Sequence, residues 1–255
     1  MATLPNPLPR LATDPSGRSV GLALPPGRLV GKAPTGEPLL WHAEKTAGPG
    51  TWKALGRPAA RAGLLPVLLE LGGAQGAPSD WELMPEHASY PGDHDAEDVL
   101  TEYWADLSDE EWPGFAPDGT PTADPDTRAT VVADALTEDS RFARPHLALV
   151  PARRSADIPA VLGWSGPLNH DDDVARLCAV LRSWEDRYGI RVVGLGFDHL
   201  TVSVGAPPTT AEAALTLAAE HGAFCPDVVE PDSPADLAKY AETLPGATSW
   251  TFWWD

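Results

Sequence analysis

The stretch "DDDVARLCAVLRSWEDRYGIRVVGLGFDHLTVSV", Asp171 to Val204, decides the fold. In its first part Val174, Leu177, Cys178, Leu181, Trp184 and Tyr188 recur at three- and four-residue steps. That spacing gathers them on one face of an amphipathic helix. Asp171, Asp172 and Asp173 fall in the first turn, where carboxylates complement the helix dipole, with Asn169 or Asp171 as the expected cap. Gly189 stops the helix. The period then drops to two. "IRVVGLG" and "HLTVSV" read as strands joined tightly around Phe197 and Asp198. In the second, Leu200, Val202 and Val204 alternate with His199, Thr201 and Ser203, so one face is apolar and the other polar.

The pattern continues in both directions. Upstream, "HLALVP" from His146 reads as a strand and "DIPAVLGW" as a short helical segment. Downstream, Thr209 and Glu212 form a T-x-x-E capping box for a helix that stops near Gly222. Ser233, with Pro234 at the first position, caps another helix whose inner stripe is Leu237, Tyr240, Ala241 and Leu244. The chain closes on "TSWTFWWD". Trp250, Phe252 and Trp254 alternate there with Thr251 and Trp253, which is a strand pattern. The class expected is α+β: a mainly antiparallel sheet with helices packed on it, completed by the tryptophan-rich C-terminal strand.

The N-terminal half is less regular. "SVGLAL", "RLVGK" and "PLLWHA" read as short strands, residues 52–62 as a short helix, and "LLPVLLEL" as a buried strand. "DAEDVLTEYWADL", Asp95 to Leu107, spaces Val99, Leu100, Tyr103, Trp104 and Leu107 helically, with its acids on the other face. Residues 113–126 are turn-rich and read as an exposed linker or lid.

Charge divides the chain more sharply than pattern does. Net charge is −19, and hydrophobic residues make up 43%, enough for a packed core. Residues 80–139 hold eighteen acids and one base, Arg128, while residues 1–79 hold eight bases and four acids. This gives three regions: a β-rich 1–79, an acidic helix and loop-rich connection at 80–139, and an α+β domain at 140–255. The acidic segment repels nucleic-acid phosphates and anionic lipid and attracts a basic protein. No apolar run approaches the roughly eighteen residues of a membrane span. Two cysteines, Cys178 and Cys225, are too few for a disulfide framework and fit a reducing compartment. The start of the chain has no secretory pattern. A cytoplasmic protein is expected, and the arginine, alanine, proline and glycine bias suggests a bacterial source. No cofactor motif is present.

Two clusters carry chemistry-bearing side chains. "HASYPGDHDAED" places His87, Asp93, His94 and Asp95 close together, with imidazole and carboxylate groups that suit zinc, manganese or iron. Adjacent residues point in different directions, however, and a solvated loop explains them equally. "AEHGAFCPD" holds Glu220, His221, Cys225 and Asp227, candidates for a nucleophile–base pair or a metal site. Against this stands a buried cysteine acting as a small hydrophobe. "GLGFDH" lacks the third glycine and the following helix of a dinucleotide fingerprint. "NHDDD" is explained by helix-start electrostatics.

Together, "LRSWEDRYG", "AEHGAFCPD", "KYAETL" and "WTFWWD" resemble a bacterial domain-of-unknown-function family, numbered 4253, over residues from about 146 to 255. The resemblance implies a shared C-terminal fold. It puts Trp184, Glu220, His221, Cys225, Pro226, Asp227, Tyr240, Trp250, Phe252, Trp253 and Trp254 on the family pattern, and it implies no activity. The function expected is that of a non-catalytic binding or regulatory protein. Its sharpest form is an acidic, immunity-like protein that covers a basic partner, with Trp253, Trp104 and Trp112 as contact residues. The alternatives are a hydrolase or metal-dependent enzyme using the Glu220 cluster, and a metal or small-ligand sensor.

Overall fold

The computed structural model describes residues 6–229 and 234–255. In chain order the elements are α1 (Leu8–Thr13), β1 (Gly27–Val30), β2 (Leu40–Ala43), α2 (Thr51–Arg61), β3 (Leu65–Glu70), α3 (Ala96–Leu107), α4 (Pro125–Glu138), β4 (Pro145–Val150), α5 (Ile158–Leu162), α6 (Val174–Tyr188), β5 (Arg191–Leu195), β6 (His199–Ser203), α7 (Ala211–Phe224), α8 (Pro234–Ala241) and β7 (Ser249–Trp253). The strands form one seven-stranded sheet in the order β1-β2-β4-β3-β5-β6-β7. Every neighbouring pair is antiparallel except β3 and β5. Strands from both the 1–79 and the 140–255 regions therefore share a single sheet, joined where β3 lies between β4 and β5.

Helices cover both faces of this sheet. On one face Val67, Leu69, Ala148, Val150, Val192, Leu200, Val202 and Phe252 meet the apolar stripes of α3, α6 and α7. On the other, Leu68, Leu147 and Val193 pack against Trp52 of α2 and Ala129, Val132 and Ala133 of α4. Near the β1 edge, Trp41 and Leu149 meet Leu8 and Leu11 of α1 and Ala59 of α2. Strand alternation is what allocates these residues, because successive side chains point to opposite faces.

Helix α6 has the buried stripe its spacing predicts, and Gly189 closes it in the left-handed region at φ 59°. Its cap is Asp173, which accepts from Ala175 N, while Asp171 accepts from Asp173 N one turn earlier. The cap of α7 is likewise shifted by one residue: Thr210, and not Thr209, accepts from Ala213 N. The Ser233 cap expected for α8 lies outside the described residues. Strand β7 alternates as its sequence requires, with Trp250, Phe252 and Trp254 buried and Trp253 48% exposed.

Two expectations fail and one helix goes unanticipated, each for an identifiable reason. "SVGLAL" is not a strand: Gly17 and Gly21, at φ 75° and 76°, bracket a 3-10 turn at Arg18–Val20 and break the extended backbone. Helix α4 carries no strong sequence pattern because its buried stripe is built of small residues, Ala129, Val132 and Ala133. Its start was nevertheless written in the chain, since Asp124 accepts from Thr127 N and Pro125 follows it. Finally, the 113–126 segment is neither a linker nor a lid. Gly119 N donates to Arg187 O, Thr120 N to Pro207 O, and Thr122 N to Gly205 O. A Cβ on Gly119 would sit 1.6 Å from Ala206 O, so only glycine allows this approach.

The two sides of β7 give a direct test. Phe252→Ala is expected to cost about 3–5 kcal/mol of unfolding free energy, as for other buried aromatics. Trp253→Ala is expected to stay within about 1 kcal/mol. Deleting Trp250–Asp255 is expected to abolish the cooperative melt. Chemical denaturation of the three variants checks this, and an unchanged melt on deletion would overturn the assignment of β7 to the core.

Candidate functional site

Glu220, His221 and Cys225 lie at the end of α7 with almost no exposed surface. They do not converge on one cavity. The Glu220 carboxylate accepts from Ala116 N at 2.8 Å, from Trp184 Nε1 at 2.8 Å and from both terminal nitrogens of Arg187. His221 Nδ1 bonds the Tyr240 hydroxyl at 2.9 Å. The imidazole is otherwise ringed by Trp184, Trp250 and Phe252, with centroids 4.5–5.1 Å away. The Cys225 thiol donates to Trp253 O. Asp227 is exposed, and its carboxylate accepts from Asp255 N at 3.2 Å.

Electrostatics match this placement. Burial, reinforced by the nearby Arg187 charge, pushes the His221 pKa down to about 3, so the ring is neutral across the physiological range. Burial pushes the Cys225 thiol up to about 12. A thiol held protonated is a poor nucleophile. Glu220 uses its oxygens to hold a buried guanidinium and two further donors. The cluster is thus a buried polar node within the aromatic core, in which Glu220 is fully engaged and His221 Nε2 is left without a partner.

The other cluster is spread over a surface loop. His87, Asp93 and Asp95 are exposed. His94 Nε2 lies 2.5 Å from Ser89 Oγ and 3.7 Å from Asp173. Asp95 caps α3, accepting from Glu97 N and Asp98 N. Among the described residues no group of three or more His, Cys, Asp or Glu side chains is placed to hold a metal ion.

Of the three tryptophans expected to meet a partner, Trp104 is buried, with Nε1 donating to Glu110 O. Trp112 packs edge-on against it at 5.9 Å. Trp253 alone is open. It lies beside Thr251, Thr201, His199, Leu136 and Phe142 around a groove of about 300 Å³ on the exposed face of β7. His199 at this groove has Nδ1 3.0 Å from Asp198 and Nε2 3.5 Å from Glu70. The sequence places Asp198 at the strand connection and His199 on the polar face of the following strand. Nothing in it brings Glu70 to them, because that contact depends on β3 pairing with β5.

The exposed acids are concentrated in one stretch of the chain. All thirteen Asp and Glu residues between Asp80 and Asp118 are exposed, and no Lys or Arg lies in that stretch. Helix α3 explains why. Val99, Leu100, Tyr103 and Trp104 face the core, which turns Glu97, Asp98, Glu102 and Asp106 outward. Arg176 pairs with Glu102 at 2.7 Å and Asp171 at 2.8 Å, so neutralisation reaches only the border of this face.

The depressed His221 pKa sets the sign of one pH effect. Because the folded value lies below the ordinary 6.5, folding is favoured while the ring is neutral. That contribution is complete above about pH 6.5 and is lost as pH falls toward 3. The expected slope is about 1.4 kcal/mol per pH unit from this residue. His221→Phe keeps the aromatic packing and should flatten the acid limb of stability measured by denaturation between pH 7 and 4. No curated protein and no solved structure matches the chain. Residues 146–255, which carry β4 to β7 and the Glu220 node, match the model of a family described as Domain of unknown function (DUF4253).

Proposed function

We propose that the protein is a non-catalytic binding or regulatory protein whose acidic face, centred on α3, recognises a basic protein partner. The observation that carries this reading is the run of thirteen exposed carboxylates without a base between Asp80 and Asp118. Like charges held close on a folded surface are mutually repulsive, and a cationic partner relieves that repulsion. Charge complementarity of this kind raises association rates and selects partners. An immunity-like role, in which the face covers a basic toxin or nuclease inside the cytoplasm of a bacterium, is the sharpest form of the proposal. The burial of His221 and Cys225 favours binding over an enzyme built on the Glu220 cluster.

The test is capture of partners on the full-length protein and on a Glu97→Lys/Asp98→Lys/Glu102→Lys/Asp106→Lys variant. These four side chains are exposed, so the variant should fold. The wild type should retain a protein of basic isoelectric point at about 0.1 M salt and release it progressively toward 1 M, where screening lengths shrink from about 10 Å to 3 Å. The variant should lose it. Equal capture by both chains, or retention only of acidic or neutral proteins, would overturn the proposal.

A further inference from the structure

A cavity of about 530 Å³ opens over the β1–β2–β4 end of the sheet, beneath the segment that carries Trp81. Two histidines line it, His42 of β2 and His146 of β4, 5% and 4% exposed. Both rings stand on the same sheet face as the Val30, Leu40 and Leu69 side chains, as alternation along β2 and β4 requires. They meet edge to face at 6.1 Å.

One backbone atom fixes the chemistry these rings present. The Nδ1 atoms of His42 and His146 both lie 2.9 Å from the carbonyl oxygen of Ala43. A carbonyl only accepts, so each Nδ1 is the donor, which leaves the Nε2 of a neutral ring with its lone pair free. The Nε2 of His146 is buried without a partner, and so is the Nε1 donor of Trp81 on the same cavity. Ten such atoms occur among the described residues, and these two are the pair whose residues line a common cavity, so a ligand there would supply both halves.

Charge narrows the ligand. Arg28, Lys32 and Arg144 line the cavity against one acid, Glu44, in a protein whose net charge is −19. Glu44 lies 3.6 Å from Arg28, and its side chain is half exposed. Asp80 and Glu82 are exposed on the segment bearing Trp81, and the Asp80 carboxylate is engaged by Ala77 N. Arg144 holds a left-handed backbone, φ 51°, alone among the described non-glycine residues. Strain of that kind concentrates where a side chain must be aimed at a ligand. Three cations oppose a bare metal ion at the two imidazoles and favour an oxyanion. A lone pair on His146 Nε2 is met by an oxyanion that carries a proton.

We propose that this cavity binds a phosphate monoester. One protonated oxygen donates to His146 Nε2, and the remaining oxygens accept from Lys32, Arg28 and Arg144. The organic group occupies the volume beside Trp81, whose indole N–H is a further donor. The second ionisation of such esters lies near pH 6. At pH 7 the free ester is mainly the dianion, so forming this bond takes up one proton from solvent, which a phosphate oxygen holds and a sulfate oxygen does not. A second cleft, of about 250 Å³ beside Trp52, is also rich in arginine. There Arg191 is already paired with Asp126 at 2.9 Å and Glu185 at 3.4 Å, and no orphan polar atom lines it.

Titration calorimetry on the full chain at pH 7, with phenyl phosphate, inorganic phosphate, sulfate and nickel(II) as probes, decides the matter. Phenyl phosphate should bind at one site, at least tenfold more tightly than inorganic phosphate because of the Trp81 wall. A reversed order with inorganic phosphate saturating would assign the site to the free ion and overturn the ester. Sulfate carries equal charge but no proton at this pH and should bind at least tenfold more weakly than phosphate. Lys32→Glu, an exposed substitution that leaves the melting temperature of the free protein unchanged, should weaken phenyl phosphate at least tenfold. His146→Gln should do the same. Equal binding of sulfate and phosphate would reduce the site to non-specific charge. Saturable nickel binding without phosphate binding would make it a two-histidine metal site. No saturation by phenyl phosphate at millimolar concentration, or affinity unchanged in both variants, would leave a cavity filled by water and overturn the proposal.

Discussion

Glu220 has no exposed surface, yet four N–H groups from separate parts of the chain converge on its carboxylate: Ala116 N, Trp184 Nε1 and two nitrogens of Arg187. A buried carboxylate left unpaired is costly, and so is a buried guanidinium, so each makes the other obligatory. Removing one partner of such a pair typically costs about 3–5 kcal/mol. The node therefore fixes three things together. It sets the rotation of α6, which presents both Trp184 and Arg187. It sets the approach of α7. It also anchors the 113–124 strand of chain, whose Ala116 lends both an N–H to Glu220 and a carbonyl to Arg187.

The aromatic core builds outward from that node. Trp184 stacks on Phe252 at 5.4 Å and meets Trp250 edge-on, while Phe224 of α7 touches Phe252 and Trp254. Aromatic pairs in offset or edge-to-face geometry add about 0.5–1.5 kcal/mol beyond the area they bury. The last strand is thus held by two helices whose own positions depend on a charged contact. A neutral imidazole, His221, completes the cage because it can pack like an aromatic ring and still bond Tyr240. What looks in sequence like a catalytic string is, in space, the polar seam that lets α6, α7 and β7 close on one another.

Charge and chemistry are segregated by the same architecture. Helix α3 buries its apolar stripe against α6 and α7, which leaves its carboxylates no direction but outward. The cationic cavity lies instead at the β1–β2–β4 end, where the N-terminal region contributes Arg28, Lys32 and His42 and β4 contributes His146. The carboxylates of α3 and the cations of the cavity thus lie on different elements of the fold.

Much of the framework is legible in the chain alone. The heptad-like steps from Val174 to Tyr188 settle α6, because no other element buries residues at that period. Alternation at Trp250, Phe252 and Trp254 settles β7 and leaves Trp253 outside, since a strand has only two faces. The outward charge of α3 follows from the same kind of local periodicity. Local pattern fails where small residues carry the packing, as in α4, and where glycines at positive φ override a β-like composition, as in residues 19–24.

Long-range pairing is where local pattern has no purchase. Whether Glu220 is a catalyst or a buried counter-ion depends on Arg187 and Ala116 reaching it from 33 and 104 positions away in sequence. His42 and His146 share one carbonyl only because β2 and β4 are neighbours in the sheet, although some hundred residues separate them. Sequence by itself determined which residues face inward on each element, because helix and strand periods are properties of the local backbone. Only the tertiary structure decided which inward-facing polar groups meet, because hydrogen bonds form between atoms about 3 Å apart in space regardless of their spacing along the chain.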